Sequence, residues 1–254
     1  MLIDTHTHLY LEDFKDDIGI VIQNALQNDI QKMLLPNIDM DSVEPMLNLH
    51  QQFKDCTYIM TGLHPTSVDK AWRTTLNNIL TTIEKQAKPI AVGEAGIDLY
   101  WDKTFVEEQK EAFIFQIEYA INNNLPIVIH SRNSLDLIIE MIKPYQGKLR
   151  GVFHCFPGHV QQAIQLVDQG FYLGLGGVVT YKNAKMAEVA AQLPLESIIL
   201  ETDAPFLSPQ GKRGQRNESA NIKDIALFIA EKRNTDFETI CKVTTANAYK
   251  LFDL

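Results

Sequence analysis

Histidine and carboxylate side chains in this sequence are concentrated directly after short apolar segments. The residues placed in this way are His6, His8, His64, Glu94, His130, His154, Glu201 and Asp203. Imidazole nitrogens and carboxylate oxygens together suit zinc, manganese and similar divalent ions, whereas magnesium prefers more oxygen ligands. Histidines scattered over a surface would have no reason to follow the ends of apolar runs. The pattern therefore predicts a metal site.

His6 and His8 are two residues apart, so in an extended chain both side chains point to the same face. They would form one edge of a divalent-metal site, which Asp203 and Glu94 could complete. Taken alone, however, an HxH pair is weak support for a metal, because an isolated histidine is more often a surface or core residue. Glu94 alone could also be a carboxylate at a helix start, where it would favour the helix dipole.

His130 and His154 follow neighbouring apolar runs and would form a second edge, which could share Glu94. Two ions about 4 Å apart that share a carboxylate activate a water molecule and stabilise both oxygens of a displacement. By contrast, we expect His50 and His159 to lie on solvated helix faces. Cys155 stands beside His154 but should point to the opposite face of a strand, so we expect a small core residue and not a nucleophile.

The elements that must position these residues are short apolar runs alternating with polar, helix-like stretches. Such continuous runs are typical of strands buried on both faces, as in parallel sheets. Eight runs are predicted as strands: Met1–Asp4, Lys32–Ile38, Tyr58–Leu63, Pro89–Gly93, Pro126–Ile129, Gly151–Phe153, Phe171–Leu175 and Ser197–Leu200. Helices are predicted over Asp13–Asn28, Phe105–Asn123, Ser134–Ile142, His159–Gln169, Asn183–Gln192, Glu218–Arg233 and Phe237–Leu251.

Eight alternating strands predict an α/β fold, a single-domain (β/α)₈ TIM-type barrel over residues 1–254, with a doubly wound open sheet as the alternative. Active sites of the barrel form at the carboxyl ends of its strands, where the polar residues stand. No apolar stretch is long enough to span a membrane. The three cysteines lack a paired spacing, and the start of the sequence shows no signal peptide, so we expect a cytoplasmic location.

The net charge of −9 argues against a basic surface that coats nucleic acid without specificity. A local phosphate site remains compatible with it, because two divalent ions would add about +4 in the place where a phosphate must bind.

Eight segments, in order and over nearly the whole length of the chain, match the motifs of a known family: IDTHTHL, GLHP, VGEAGIDLY, EEQKEAFIFQIEYAINNNLPIVIHSR, GVFHCFPG, LETDAPFLSP, RGQRNES and TTANAYKLF. On these segments the chain resembles TatD-type deoxyribonucleases, a family of metal-dependent hydrolases with amidohydrolase-like barrels. The resemblance implies a TIM-type barrel that carries two, sometimes three, divalent ions. Two positions depart from the family pattern: Thr66, where many members have a second histidine, and Ser219, where the RNEP motif has proline.

The resemblance also implies a role for each candidate. His6 and His8 would bind one ion, His130 and His154 the second, and Glu94 would bridge them. Asp203 would be a ligand close to the attacking water and would accept its proton. His64 would contact substrate or bind a third ion weakly.

The predicted reaction is hydrolysis of DNA phosphodiester bonds, at ends or in single strands and most simply as an exonuclease, with two ions of Mg²⁺, Mn²⁺ or Zn²⁺. Arg132, Lys182, Arg213 and Arg216 are candidates to bind flanking phosphates, and Tyr100 and Trp101 to stack on a base. The alternative is a small-molecule amidohydrolase or lactonase using the same metals. Many such barrels bridge their ions with a carboxylated lysine, so Glu94 at that position favours the nuclease. A protein that only binds metal or a partner is poorly supported, and no obligate protein partner is expected.

Overall fold

Eight short parallel strands form the centre of the computed structural model, which describes residues 1–254. They are β1 (Leu2–Asp4), β2 (Ile30–Leu35), β3 (Thr57–Ile59), β4 (Val92–Asp98), β5 (Ile127–Arg132), β6 (Gly151–Phe153), β7 (Tyr172–Leu175) and β8 (Ile198–Leu200). Strands β1 to β3 form one hydrogen-bonded sheet and β4 to β8 another, each in chain order.

Backbone contacts at two seams close these sheets into a ring. At the first seam, Thr61 pairs in parallel with Val92, and the Gly93 amide donates to the Thr61 carbonyl at 2.8 Å. At the second seam, the Thr5 amide donates to the carbonyl of Leu200 at 3.1 Å, and the amide of Asp203 donates to the carbonyl of His6 at 2.9 Å. The predicted α/β TIM-type barrel is therefore confirmed, and its closure brings two of the predicted metal ligands together.

Nine α-helices surround the ring. They are α1 (Ile18–Gln27), α2 (Met40–Gln52), α3 (Trp72–Glu84), α4 (Val106–Asn122), α5 (Leu135–Ile142), α6 (Val160–Asp168), α7 (Met186–Gln192), α8 (Ile222–Arg233) and α9 (Phe237–Phe252). The sequence patterns did not predict α2 and α3. The first contains Pro45, which ordinarily interrupts a helix, but a capping box of Asp39 and Ser42 starts it. The second is rich in Thr and Asn, which have low helix propensity.

Several element boundaries differ from the predictions, and two differences matter for the site. The fourth strand is displaced from Pro89–Gly93 to Val92–Asp98, and the fifth continues to Arg132. Glu94 and His130 therefore lie within strands and not after them. The segment Ala95–Asp98 contains a glycine and resembles a loop, but it pairs in register with β5 and is buried. The predicted helix over Asp13–Asn28 also begins only at Ile18.

The remaining histidines and Cys155 have structural surroundings of their own. His50 lies in α2 but is half-buried, with Nδ1 3.1 Å from the Thr57 hydroxyl, so the prediction of a solvated face was wrong. His159 is exposed as predicted, and its ring caps the start of α6. Cys155 lies beyond β6 with a φ of 42°, so the alternation of a strand does not apply to it.

The apolar core has two parts, as expected for a barrel. A layer of 59 buried residues fills the space around the strands and under the helices. A smaller cluster of 10 lies inside the ring, and it includes Leu251 and Phe252 of α9. The last helix thus packs against the amino-terminal face, which leaves the carboxyl face for the polar residues. No helix combines the length and apolar character that crossing a membrane requires.

Candidate metal centre

Every residue predicted as a metal ligand lies at the carboxyl face of the ring. His6 and His8 follow β1, Glu94 belongs to β4, His130 belongs to β5, His154 follows β6 and Asp203 follows β8. The structure brings these six side chains together, and it adds His64, which follows β3. Backbone positions on six different strands and strand ends thus converge on one point.

The Glu94 carboxylate stands between two groups of imidazoles. Its Oε2 lies 3.1 Å from His6 Nε2 and 3.8 Å from His8 Nε2. Its Oε1 lies 2.8 Å from His130 Nδ1 and 3.5 Å from His64 Nε2. The side chain is only 3 % exposed. Each oxygen therefore faces a separate group of nitrogens, as a carboxylate shared by two ions would.

Asp203 closes the site on the side of β8. Its Oδ1 lies 3.3 Å from His8 Nε2 and 3.7 Å from both His6 Nε2 and His154 Nε2. The residue has a φ of 58°, in the left-handed region that Asp tolerates better than most residues. Because of this turn, its carboxylate points back over the ring instead of following the direction of β8.

The possible ligand atoms form three groups, and within each group all atoms lie within 4.8 Å of one another. They are His6, His8 and Asp203; His6, Glu94 and His154; and His64, Glu94 and His130. His130 thus shares a group with His64, and His154 stacks on His6 with ring centroids 3.5 Å apart. His130 and His154, the predicted pair for the second ion, fall in different groups, but both face Glu94 Oε1, at 2.8 Å and 3.9 Å. His64, predicted only as a substrate contact or weak ligand, lies among the ligand atoms.

The outer nitrogen of four of these histidines has a polar partner. The contacts are His8 Nδ1 with the Tyr10 hydroxyl at 2.9 Å, His64 Nδ1 with Thr66 Oγ1 at 2.6 Å, His130 Nε2 with Asp98 Oδ2 at 2.9 Å, and His154 Nδ1 with Glu201 Oε1 at 3.0 Å. Such partners orient an imidazole and leave its other nitrogen free to bind an ion. Sequence reasoning missed Tyr10 and Asp98, and it read Thr66 only as a departure from the family.

Electrostatics within the cluster favour a cation. Burial alone would raise the pKa of Glu94, but the surrounding imidazoles, His6 first, hold it well below its ordinary value. Burial alone would lower the pKa of His154, but the carboxylates of Glu201 and Glu94 raise it to about 10. Burial lowers the pKa of His6, whose Nε2 lies only 3.3 Å from that of His8. Because basic nitrogens crowd around buried carboxylates, protons or metal ions must occupy the site, and the donor set fits divalent cations.

The turn that carries Asp203 is held by Asn217, which is fully buried. The Asn217 amide donates to the carbonyls of Thr202 at 2.8 Å and of Phe206 at 2.7 Å, and its Oδ1 accepts from Asn221 at 2.8 Å. Every polar atom of this side chain is thus used within the loop. Asn217 belongs to the RGQRNES segment, so that segment acts here as a structural clamp on the turn.

Asn217→Ala should lower the free energy of unfolding by about 2 kcal/mol, because the buried Thr202 carbonyl and the part-buried Phe206 carbonyl lose their donor. Denaturant unfolding measures this change. Asn123→Ala is a matched control, since Asn123 is exposed and donates only to the Tyr119 carbonyl, and it should cost less than about 1 kcal/mol. Equal losses in the two variants would contradict the clamp.

Of the four residues predicted to bind flanking phosphates, the structure places only one at the metal cleft. Arg132 lines the cleft above the cluster. Arg216 instead pairs with Asp17 at 2.6 Å and with Glu218 at 2.9 Å. Arg213 packs over the ring of Tyr181 with its guanidinium 4.7 Å from the centroid, and the exposed Lys182 is also outside the cleft lining.

The cleft itself has a volume of about 450 Å³. Its buried or half-buried floor holds His8, His64, Glu94, Asp98, His130, His154 and Asp203, and its more exposed rim is formed by Ile38, Thr66, Trp101, Arg132, Phe206 and Leu207. All candidate ligands except the fully buried His6 thus line a cleft that a molecule can enter from the carboxyl face.

A family model described as "TatD related DNase" matches residues 3–253 of the chain. The chain belongs to the TatD family. Its relatives include the "Uncharacterized metal-dependent hydrolase YabD" of Bacillus subtilis, 35% identical over 99% of both chains. Another is YjjV of Escherichia coli, with the same description, 33% identical over 99% of this chain and 98% of that one. The protein is therefore a metal-dependent hydrolase of this family.

Solved structures agree with the fold of this TatD protein. The crystal structure of YjjV, a TatD homologue from Escherichia coli, superposes with a TM-score of 0.92 at 32% identity and covers 100% of this chain and 98% of that one. A TatD-family hydrolase from Entamoeba histolytica superposes at 0.85 with 20% identity, over 99% of this chain and 97% of that one. Dihydroorotase from Campylobacter jejuni superposes with a TM-score of 0.63 at 14% identity and covers 100% of this chain and 83% of that one. This likeness concerns the fold alone.

Proposed function

We propose that this TatD protein is a deoxyribonuclease that hydrolyses phosphodiester bonds at the ends of DNA or in single strands. The observation that carries the proposal is the position of Glu94, with each carboxylate oxygen facing a different group of imidazoles. Residues 1–254 act as one catalytic domain. The ligands are His6, His8, Glu94, His130, His154 and Asp203, with His64 as a substrate contact or further ligand.

Two divalent ions, when bound, would neutralise the charge that grows on the phosphoryl oxygens. The abundance of imidazole favours Zn²⁺ or Mn²⁺ over Mg²⁺. Glu94 holds the two halves of the site at a set separation. Asp98, Glu201 and Tyr10 keep the imidazoles oriented from outside.

Asp203 is the proposed general base. Burial raises its pKa, but the His8 hydrogen bond and the charges of neighbouring histidines outweigh burial, so the pKa lies below its ordinary value. The carboxylate is therefore ionised at neutral pH and can accept a proton from the attacking water. Arg132, on the rim, is placed to bind a phosphate next to the one that reacts.

A cytoplasmic location and independence from a protein partner belong to the same proposal. The three cysteines are free thiols, in keeping with a reducing compartment. A lactonase or amidohydrolase would use the same ligands, and a cleft of about 450 Å³ also suits a small molecule. The substrates must therefore be compared directly.

The experiment compares a labelled single-stranded DNA, its duplex, an RNA of the same sequence, an aminoacyl ester and a lactone. One preparation is loaded in turn with Mn²⁺, Zn²⁺ or Mg²⁺, and chelator-treated protein is the control. We expect single-stranded DNA to be shortened fastest, and chelator to stop the reaction. Faster turnover of the lactone or the aminoacyl ester than of any nucleic acid would replace the proposal with the small-molecule alternative.

A further inference from the structure

Three aromatic side chains of this protein are half or more exposed; two of them, Trp101 and Phe206, line the metal cleft, and the third, Tyr100, packs against Trp101. Tyr100 is 52%, Trp101 65% and Phe206 50% exposed. The other aromatic residues are buried or half-buried. Apolar surface that is exposed in one place, next to a polar site, is typical of a binding surface.

The first aromatic surface combines Tyr100 and Trp101 with Arg132. The two rings meet edge to face with centroids 4.9 Å apart. The Arg132 guanidinium lies 3.9 Å from the Tyr100 centroid and 5.3 Å from that of Trp101. A guanidinium next to exposed rings favours a ligand that has both a π face and a negative charge, because stacking and ion pairing then act together.

This surface is held rigidly against the metal ligands by Asp98. Its Oδ1 accepts from the amides of Tyr100 at 2.8 Å and Trp101 at 3.0 Å, and its Oδ2 contacts His130 Nε2 at 2.9 Å. One side chain therefore positions both a candidate metal ligand and the aromatic loop beside it.

The second aromatic surface is Phe206, on the loop after β8. Its ring centroid lies 6.2 Å from that of His8. Its amide donates to the Asp203 carbonyl at 2.8 Å, and its carbonyl accepts from Asn217 at 2.7 Å. Leu207, also at the cleft, is 37% exposed. This surface is thus joined to the turn that carries the proposed base.

The ring places the two surfaces on opposite sides of the cleft. Trp101 follows β4 and Phe206 follows β8, and these strands are four positions apart in a ring of eight. Glu94 and Asp203 lie on the floor of the same cleft. A chain that crosses the mouth would therefore meet an aromatic ring before and after it passes over the candidate metal ligands.

We propose that these surfaces bind the two unpaired nucleobases that flank the scissile phosphodiester, one on Trp101 and one on Phe206. The inference rests on the proposed nuclease function and deepens it. In a duplex the faces of the bases are already stacked, so only a single strand or a frayed end can use both surfaces. Stacking is also tolerant of sequence, since every base has a π face. It supplies affinity that a protein with a net charge of −9 cannot gain from a basic surface.

The test measures each protein variant on two substrates, an intact single strand and one that lacks the flanking bases. Trp101→Ala and Phe206→Ala should each raise KM for a short single-stranded DNA roughly ten-fold, and Trp101→Phe should restore most of the loss. On an oligonucleotide with abasic sites on both sides of the cleaved bond, the same variants should change KM less than two-fold relative to the wild type. Leu227→Ala on α8, 47% exposed and outside the cleft, is the control and should behave like the wild type on both substrates.

A binding measurement without turnover gives an independent result. The protein has only two tryptophans, and the other, Trp72, is buried. A phosphorothioate-linked single strand should therefore quench the fluorescence of the metal-loaded protein, and the quenching should disappear in Trp101→Ala. Unchanged quenching in that variant, or equal KM values of the wild type for intact and abasic strands, would overturn the inference.

Failure of the inference and failure of the proposed function give different results. Methyl 4-nitrophenyl phosphate is a diester with no nucleobase, and its metal-dependent hydrolysis by the wild-type protein reports on the metal centre. If the wild type cleaves neither this ester nor DNA, the proposed nuclease function fails. If it cleaves DNA, but the aromatic variants lose no more on DNA than on the small ester, only the base-binding surfaces are wrong.

Discussion

Glu94→Gln should leave the protein folded but unable to retain its divalent ions or to hydrolyse its substrate. Glutamine has the shape of glutamate, so the packing of β4 is preserved. The change removes the one negative charge that lies between both groups of imidazoles. We expect kcat/KM for metal-dependent hydrolysis to fall by about a thousand-fold or more, and the metal content after dialysis to fall with it.

Elemental analysis of dialysed protein, initial rates at saturating metal and thermal unfolding provide the three measurements. Glu107→Gln is the matched control, because Glu107 is 78% exposed and pairs only with Lys110 on the surface of α4. The control should keep wild-type metal content and rate. A Glu94→Gln protein with the full metal content and undiminished turnover would exclude the shared carboxylate.

The fold was predictable because a parallel barrel leaves a simple record in the sequence. Its strands are buried on both faces, so they appear as continuous apolar runs, and the loops after them carry the chemistry. His6, His8, His154 and Asp203 could be assigned to the site for this reason alone. The pattern of apolar residues could not place the limits of β4. Gly96 makes the segment Ala95–Asp98 look like a loop until its pairing with β5 is known.

The contacts that complete the site depend on the packing of distant segments. The pairing of His64 with His130, or of His154 with Glu201, follows from where separate strands and loops meet in space. Arg216 appeared free to bind phosphate, because its partner Asp17 is 199 residues away in the sequence.

One signal could have identified Asp98. It stands four residues after Glu94, so both side chains point to the same face of an extended strand. That inference requires β4 to continue through the glycine, which the structure reveals.

Asp203→Asn should separate catalysis from metal binding, which Glu94→Gln cannot do. The group formed by His64, Glu94 and His130 does not contain Asp203, so this half of the site should keep its ion. The group of His6, His8 and Asp203 loses a charge, and we expect its affinity to fall. An amide cannot accept the proton from water, so kcat should fall by about 10² to 10⁴-fold.

The measurements are metal content per chain, kcat and KM at saturating Mn²⁺, and denaturant unfolding. Asp55→Asn, an exposed carboxylate outside the cleft, is the control and should match the wild type in each. If excess metal restores kcat in Asp203→Asn, the carboxylate acts only as a ligand, and the base must be another group in the cleft. If kcat stays low at saturating Mn²⁺ while the metal content equals that of the wild type and the fold is intact, proton acceptance by Asp203 accounts for the loss, because neither metal affinity nor stability can.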